Sequence, residues 1–409
     1  PRDTAARLME ALSMGADYID AEFSLGPVIL RELFDAAGRE KIILSFHDPK
    51  RTPVDLVGRF RTMASLRPAF VKIAVLARSF ADTELVLAVL AEARRIRQPA
   101  VAISMGEFGA YTRILQGPLG GAITYAAFDG EKPTAPGQTS FGEMDDPYRV
   151  PGLNSRTKIF GLLGNPVSFS RGIQYHNGVF SRKKKNAVYV NFPADDIGDF
   201  MRIFGKRFTG LSVTMPFKKS IAGHLDRIEG SSLLTGSVNT VVRKSGRLTG
   251  LNTDFHAFLS LLNKRTRITG RRMLVLGTGG TAGTVAGAGV LSGAVVTVAG
   301  RDPRKARDLA NRFGCGWIPL SEQRSFHAEI LVNATPVGMD PGGGPRRRER
   351  IVAASTLGNY DIVCDFANPP SGRTSLVQDA IRHRRGVITG AEIFAAQARL
   401  QSQLFLQLI

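Results

Sequence analysis

The sequence predicts an α/β protein made of three successive series of parallel strands and helices. Short, almost wholly apolar runs recur along the 409 residues, and each is followed by a polar or helical stretch. Parallel strands are buried on both faces, which explains why they read as continuous apolar runs. The third series also contains a glycine-rich turn between a strand and a helix, an arrangement typical of nucleotide-binding folds.

The composition limits the classes of protein to which the chain can belong. Hydrophobic residues make up 43% of it, which excludes a long disordered chain. Its length, at roughly 100–200 residues per domain, suggests two to four domains. No run of about 18 apolar residues is present, so no membrane span is expected. Two cysteines and six histidines without paired spacing predict neither a disulfide framework nor a metal site.

The net charge of +19, from 54 Lys+Arg and 35 Asp+Glu, does not by itself indicate a nucleic-acid partner. The basic residues are spread along the chain and form no recognisable DNA- or RNA-binding motif. We interpret the excess as solvated surface together with a field that attracts anionic ligands. The first residue is Pro1 rather than Met, so we expect a fragment that begins partway through a domain, with any targeting segment outside it.

Five strands are expected in the first series, within residues 1–140. The runs that predict them are Tyr18–Phe23, Ile42–Phe46, Phe70–Val75, Val101–Met105 and Ile123–Ala127. The segment Gly137–Asn154 is polar, contains proline and glycine and shows no periodicity. We interpret it as a linker to the second series.

Lys72 lies inside the apolar run FVKIAV, and His47 directly follows the run before it. Burial disfavours a charged ammonium and so favours the nucleophilic amine that imine chemistry requires. The carboxyl ends of parallel barrel strands converge on one site, where a histidine can carry protons. A lysine that extends from a strand end to water is the alternative interpretation.

This first series resembles type I 3-dehydroquinate dehydratases. The matching pieces, in the family's order, are GADYIDAEF, ILSFHDPKRTP, FVKIA, ISMGEFGAYTR and KPTAPGQ. The resemblance implies a partial (β/α)8 barrel, or partial TIM barrel, that begins near the family's fourth strand and holds an incomplete site. It implies that Lys72 forms the Schiff base and that His47 is the general acid and base. The implied substrate-site residues are Met105, Arg113, Thr134 and Gln138.

The second series runs from a strand at Lys158–Leu163 to about Thr253 and brings several polar motifs. LSVTMPFKK contains Thr214 and Lys218, GSVNTVV contains Asn239, and GLNTDFHAF contains Asp254. A lysine and an aspartate held together in a cleft can move a proton to or from a substrate hydroxyl. Asparagine and threonine side chains suit a polyhydroxylated ring, because they both donate and accept hydrogen bonds.

The third series opens with MLVLGTGGTAG, where the strand Met273–Leu276 turns on Gly277, Gly279 and Gly280 into a helix. Such glycines let the backbone approach a pyrophosphate at the helix N-terminus, as in Rossmann dinucleotide-binding domains. The series runs to about Ile388, includes a surface loop at 341–345, and is followed by a helical pattern over 391–408.

The strand Val295–Ala299 is followed by Gly300, Arg301 and Asp302. An arginine at this strand end favours the 2′-phosphate of NADP, whereas an acidic residue favours the ribose of NAD. We therefore expect NADP as the cofactor, while Asp302 keeps NAD open. Arg304 and Lys305 are further basic candidates, although a solvent-exposed charge at a helix start explains Lys305 better than Arg301.

Residues 158–409 resemble shikimate dehydrogenases, through GNPVSFSRGIQYHN, VTMPFK, GSVNT, NTD, NATPVGM and GAEIFAAQA in the family's order. The resemblance implies that Lys218 and Asp254 are the catalytic pair. The implied substrate contacts are Ser170, Gly172, Thr214, Asn239 and Gln397, and the implied cofactor contacts include Thr335 and Met339.

The resemblance also implies the domain organisation: a partial dehydratase barrel at 1–150, a substrate domain at 155–255 plus 390–409, and a Rossmann NADP domain at 256–389. A dehydratase followed by a dehydrogenase resembles the plant bifunctional enzymes of the shikimate pathway, which implies a plastid location in a plant and a cytoplasmic one otherwise. The implied substrates are 3-dehydroquinate, 3-dehydroshikimate, and shikimate or quinate; no nucleic acid or membrane partner is expected.

Five positions depart from the dehydrogenase pattern. Phe169 replaces a histidine, Gly172 a serine that binds the substrate carboxylate, Ile173 a proline and Ser212 an asparagine, while Ala367 or Asn368 stands where a tyrosine is usual. In having a glycine at position 172, the chain resembles the plant quinate dehydrogenases. The alternatives are therefore a quinate dehydrogenase using NAD or NADP, or a divergent paralogue that binds ligand without turnover.

Overall fold

The computed structural model describes residues 2–339, 350–369 and 372–409, so the loop expected at 341–345 lies outside the described residues. The first series comprises, in chain order, α1 (Arg2–Ser13), β1 (Ile19–Glu22), α2 (Pro27–Ala37), β2 (Ile42–Asp48), α3 (Leu56–Ser65), β3 (Phe70–Leu76), α4 (Thr83–Ile96), β4 (Ala100–Met105), α5 (Tyr111–Ile114), α6 (Gln116–Leu119) and α7 (Phe141–Asp145).

The strands β1 to β4 form an open four-stranded sheet in chain order, and every neighbouring pair is parallel. Four of the five predicted strands are thereby confirmed. The fifth, at Ile123–Ala127, is wrong: its only β-pairing is an isolated bridge between Ala127 and Ser140. The side chains of Ile123 and Tyr125 pack instead against buried apolar residues of β3 and β4. Apolar character specifies burial without specifying a backbone partner.

The predicted linker is also wrong in part, since residues 141–145 form α7. The Ser140 hydroxyl accepts a hydrogen bond from the Glu143 amide at 3.2 Å, and the Glu143 carboxylate accepts one from the Ser140 amide at 3.3 Å. This reciprocal pair is the capping box that the letters SFGE indicate.

The second series comprises β5 (Lys158–Gly164), α8 (Gly172–Arg182), β6 (Ala187–Pro193), α9 (Ile197–Phe204), β7 (Gly210–Val213), β8 (Arg227–Ile228), α10 (Ser231–Thr235), β9 (Thr240–Lys244), β10 (Arg247–Leu251) and α11 (Thr253–Asn263). Strands β5 and β6 are parallel. The antiparallel pairs β7–β9 and β9–β10 lie beside the short parallel pair β10–β8.

The third series comprises β11 (Arg272–Leu276), α12 (Gly280–Leu291), β12 (Val295–Gly300), α13 (Pro303–Phe313), β13 (Gly316–Pro319), β14 (Ile330–Asn333), β15 (Ile362–Asp365), α14 (Ser375–Arg382), β16 (Gly386–Ile388) and α15 (Gly390–Leu406). Its six strands are all parallel, in the order β13-β12-β11-β14-β15-β16. This 3-2-1-4-5-6 order is that of a Rossmann domain, whose ligands bind where the order reverses.

The chain divides into two compact units, residues 1–165 with 177–208 and 409, and residues 166–176 with 209–408. The first unit contains an aromatic core in which Phe80 and Tyr111, from the first series, meet Phe192, Phe200 and Phe204, from the second. Ring centroids lie 5.2 Å apart for Phe80 and Phe200 and 4.7 Å apart for Phe192 and Phe204. Apolar burial of this kind stabilises a fold in proportion to the area removed from water.

Within the part of the chain that the structure describes, no helix is both long and apolar enough to cross a membrane.

The aromatic core generates a prediction about stability. Phe200 is fully buried, so Phe200→Ala should lower the free energy of unfolding of the first unit by about 3–5 kcal/mol through lost burial and a residual cavity. Urea unfolding followed by circular dichroism measures this. Phe128→Ala, at an exposed phenylalanine of the same unit, is the matched control and should change stability by less than about 0.5 kcal/mol. Equal midpoints for the two variants would contradict the assignment.

Candidate active sites

Lys218 and Asp254 form a largely buried ion pair in the second unit. The Lys218 Nζ donates to Asp254 Oδ2 at 2.6 Å, and the two side chains are 17% and 11% exposed. Asp254 lies in the first turn of α11, whose N-terminus is capped by the Asn252 side chain accepting from the Phe255 amide at 3.2 Å. A carboxylate in a first turn is stabilised by the helix dipole. The structure therefore brings Lys218 and Asp254 together in a largely buried position.

Polar side chains surround this pair on the side of α11. The Asn239 amide nitrogen donates to Thr253 Oγ1 at 3.0 Å, and the Thr253 amide donates to Asn239 Oδ1 at 2.8 Å. Thr253 also donates to Gln397 Oε1 at 3.4 Å. The structure thus brings together Asn239 and Gln397 as predicted, and hydroxyl and amide groups of this kind suit a ring that carries several hydroxyls.

Two predicted substrate contacts and two departures from the dehydrogenase pattern lie around β7 and the start of α8. Ser170 accepts a hydrogen bond from the Gly172 amide at 3.1 Å, so its hydroxyl bonds the backbone where α8 begins. Thr214 is half-buried directly after β7, and Phe169 is exposed. Ser212 is buried and donates to Gln401 Oε1 at 2.8 Å. Ser212 therefore holds the C-terminal helix α15 rather than facing a ligand.

Gln401 is a residue that the sequence interpretation missed. Its side-chain nitrogen donates to the Asn239 carbonyl at 3.0 Å and to Thr240 Oγ1 at 2.9 Å. It follows Gln397 by one helical turn, so both lie on the same face of α15. That spacing was the available signal, and the contacts make Gln401 the residue that anchors Asn239.

The glycine turn before α12 fits a pyrophosphate. Gly277 has φ = +117°, a conformation that only glycine adopts without strain. Gly279 is the N-cap of α12 and makes no side-chain cap, so the first amides of the helix are free for an anion. A Cβ on Gly280 would lie 3.1 Å from Ser237 Oγ and 3.3 Å from Lys218 Cβ. The turn therefore fits a nicotinamide dinucleotide, which would carry the hydride when bound.

The end of β12 indicates which dinucleotide fits. Asp302 Oδ1 accepts from the amides of Arg304 at 3.0 Å and Lys305 at 3.3 Å, so this carboxylate caps α13. Arg301 is exposed and lines a cavity of about 650 Å³ together with Arg324, a second arginine that the sequence interpretation missed. Two guanidinium groups and a committed carboxylate suit a phosphate better than a ribose hydroxyl.

The NATPVGM segment follows β14. Thr335 donates to Asn333 Oδ1 at 2.7 Å, and Asn333 in turn donates to the buried Asp365 at 2.9 Å. Burial raises the pKa of Asp365 to about 6. Met339 is partly exposed. This polar network holds the loop that carries the two predicted cofactor contacts.

In the first unit, Lys72 and His47 do not bond each other but pair with separate acids. Lys72 Nζ donates to Asp20 Oδ2 at 2.7 Å and lies 4.4 Å from the Tyr125 ring centre. His47 Nδ1 lies 2.6 Å from Glu22 Oε2. Burial, followed by the Asp20 charge, raises the pKa of Tyr125 to about 12.

Asp20 and Glu22 are further residues that the sequence interpretation missed. They alternate along β1 in the motif IDAE, and alternate residues of a strand share a face. The strand register places Glu22 beside Ser45 and Ser45 beside Lys72. Acid, lysine and histidine therefore occupy one face of the sheet.

The remaining predicted residues lie around the end of β4. Arg113 is buried, which lowers the pKa of its guanidinium, and its Nε has no hydrogen-bond partner among the described residues. An unpaired buried guanidinium nitrogen fits an anionic ligand. Thr134 donates to Gln138 Oε1 at 2.8 Å in a loop whose Pro136 carbonyl accepts from the Gly106 amide at 3.1 Å. That loop therefore lies beside Gly106, which directly follows the buried Met105.

Among residues 2–339, 350–369 and 372–409, no group of three or more His, Cys, Asp or Glu side chains is arranged to hold a metal ion.

The Rossmann sheet, the glycine turn and the lysine–aspartate pair define a nicotinamide-dependent dehydrogenase, preceded by an open α/β sheet with a partly buried lysine. Residues 2–155 match the type I 3-dehydroquinase family, and residues 162–241 match the shikimate dehydrogenase substrate binding domain.

Relatives match the same regions. The chain is 29% identical over 418 residues to the bifunctional 3-dehydroquinate dehydratase/shikimate dehydrogenase of Arabidopsis thaliana, covering 97% of this chain and 68% of the relative. It is 35% identical to the NADP(+) shikimate dehydrogenase of Pyrococcus abyssi over 54% of this chain and 82% of the relative. A crystal structure of the Thermus thermophilus enzyme with NADP(H) and shikimate superposes with a TM-score of 0.53 and 30% identity, covering 61% of this chain and 94% of that one. The chain therefore belongs to the shikimate dehydrogenase family, and its residues 2–155 are similar to type I 3-dehydroquinases.

The geometry at β12 generates a prediction about cofactor choice. Arg301→Ala should raise the Kd for NADP by about 10- to 100-fold through loss of a charge-assisted hydrogen bond, and should leave the Kd for NAD nearly unchanged. Binding is measured by quenching of protein fluorescence.

Lys305→Ala is the matched control, because Lys305 is exposed and faces Asp302 at 4.0 Å. It should alter neither dissociation constant. A parallel loss of affinity for NADP and NAD in Arg301→Ala would contradict recognition of the 2′-phosphate.

Proposed function

We propose that the dehydrogenase part catalyses the reversible, NADP-dependent reduction of 3-dehydroshikimate to shikimate. The observation that carries this proposal is the largely buried Lys218–Asp254 pair beside the glycine turn. When the substrate carbonyl accepts a hydride at carbon, its oxygen gains negative charge and needs a proton. Lys218 donates that proton, Asp254 orients the lysine, and the reverse reaction returns the proton to the lysine.

Asn239, Thr214, Ser170, Gly172 and Gln397 are proposed to bind the substrate. Their contribution is orientation, because hydrogen bonds to several ring hydroxyls hold the reacting carbon in one position. The proposed organisation is a substrate domain at 155–255 with 390–409 and an NADP domain at 256–389. The relatives named above support shikimate rather than quinate as the substrate.

The first series is proposed to be an incomplete 3-dehydroquinate dehydratase, spanning residues 1–150. Lys72 attacks the substrate ketone and expels water to form an imine. A neighbouring proton and hydroxide then leave as water, with His47 as proton carrier, and hydrolysis of the imine by water releases the product and restores the lysine amine. Glu22 holds Nδ1 of that histidine, and Arg113 suits the substrate carboxylate. The sheet of the described residues has four strands where a complete barrel has eight.

The two proposed reactions are consecutive, because the dehydratase forms 3-dehydroshikimate and the dehydrogenase reduces it. The Arabidopsis relative is named as chloroplastic. This supports a plastid location for the present protein if its source is a plant; for any other source the proposed location is the cytoplasm.

The catalytic pair generates a prediction about turnover. Lys218→Ala should lower kcat for shikimate oxidation by about 10²- to 10⁴-fold, because proton transfer by a positioned group contributes that much. Initial rates with shikimate and quinate, each with NADP and NAD, also report the preferred substrate pair.

Lys219→Ala is the matched control, since Lys219 is exposed and adjacent in sequence. It should retain wild-type rates. Turnover of wild type with none of the four substrate pairs would refute the proposed dehydrogenase and favour a ligand-binding paralogue.

The first series generates a separate prediction. Borohydride reduction in the presence of 3-dehydroquinate should attach the substrate to Lys72, because reduction converts an imine into a stable amine. Peptide mass spectrometry locates the adduct, and Lys72→Arg should abolish it, whereas Lys132→Arg, in an exposed loop, should not. Absence of any adduct on Lys72 would mean that this half lacks imine chemistry, whatever the dehydrogenase does.

A further inference from the structure

The ammonium group of Lys218 has a second partner besides Asp254. A lysine ammonium carries three N–H donors and no acceptor. One donor is directed to Asp254 Oδ2 at 2.6 Å, and a longer contact of 3.4 Å joins Nζ to the hydroxyl oxygen of Thr281. With two donors directed, the tetrahedral geometry of the nitrogen fixes the direction of the third.

Thr281 belongs to a different part of the second unit from Asp254. It is the second residue of α12, the helix whose N-terminus forms the proposed pyrophosphate site, whereas Asp254 is the second residue of α11. The lysine is therefore held between one helix from the second series and one from the third. Asp254 is the one charged group that bonds it among the described contacts.

The stem of Lys218 also packs against the same turn. A Cβ on Gly280 would lie 3.3 Å from the Cβ of Lys218 and 3.7 Å from its Cδ. The backbone of the turn thus approaches the lysine stem closely, while the hydroxyl of the next residue reaches its nitrogen. Both contacts constrain the same side chain, at its base and at its tip.

We propose that Thr281 is a positioning residue for Lys218, and that its hydroxyl, together with Asp254, directs the remaining N–H of the lysine at the substrate oxygen. This inference rests on the proposed dehydrogenase function. It adds that the helix that binds the cofactor also orients the proton donor. Thr281 acts through Lys218 and needs no contact with the substrate itself.

The test uses the full chain with Thr281→Val, which keeps the shape and removes the hydroxyl, and Thr281→Ser, which keeps the hydroxyl. Thr281→Val should lower kcat for shikimate oxidation by about 2- to 10-fold, the equivalent of one net hydrogen bond. The Kd for NADP should stay at the wild-type value, and Thr281→Ser should restore kcat.

A second measurement does not depend on turnover. In cofactor-free protein, labelling of Lys218 by an amine-selective reagent at fixed pH, quantified by mass spectrometry, should be about 2- to 10-fold faster in Thr281→Val than in wild type, because the variant loses a contact that restrains the nitrogen. Thr281→Ser should label at the wild-type rate. Circular dichroism and thermal melting verify that each variant is folded.

Thr269→Val is the matched control. Thr269 is exposed, and its hydroxyl donates to the Ser292 carbonyl at the opposite end of α12 at 3.2 Å, so its loss should change neither kcat nor labelling of Lys218. Equal kcat and equal labelling in Thr281→Val and Thr281→Ser would overturn the inference. A wild-type protein without turnover, in which the labelling difference persists, would overturn the proposed function alone.

Discussion

The buried ion pair of Lys218 and Asp254 is the constraint on which the second unit depends. Removing two charges from water is costly unless each finds a partner and further hydrogen bonds. Here the acid is supplied by the first turn of α11, the lysine by the segment after β7, and a hydroxyl by α12. The three elements must therefore be placed correctly at once. A site that is costly to assemble in this way is kept for its chemistry rather than for stability.

In the same unit, the C-terminal helix α15 holds the segments that carry the proposed substrate contacts. Gln401 and Ser212 join α15 to β7 and to the segment that carries Asn239. His176 is buried beside this helix, and burial lowers the pKa of its ring to about 3 while Ser402 lies 2.8 Å from Nδ1. A neutral imidazole buried in this way is structural, which explains why the histidine of the motif QYHN takes no part in the proposed proton transfer.

The first unit contains residues from both the dehydratase-like and the dehydrogenase-like parts of the sequence, although the sequence motifs assign these parts to separate domains. Phe80 and Tyr111 belong to the dehydratase-like segment, yet they pack on Phe192 of the next series at a ring distance of 5.2 Å for Tyr111. Asp195 accepts from the Phe80 amide at 3.0 Å, and Arg202 pairs with Glu84 at 2.5 Å. Sequence families divide the chain by ancestry, whereas packing divides it by shared core, and the two divisions need not coincide.

The sequence by itself determined the Rossmann series, the glycine turn and the identities of both lysines. Continuous apolar runs and glycines at fixed spacing are local patterns, and local patterns predict parallel strands and their turns. It also indicated the capping box at Ser140, although the segment was interpreted as a linker. Tertiary structure alone decided which groups meet: Asp20 with Lys72, Glu22 with His47, and Thr281 with Lys218. It also left Ile123–Ala127 outside the sheet and committed Asp302 to a helix cap. These outcomes depend on register and on the geometry between elements distant in sequence, which no local pattern encodes.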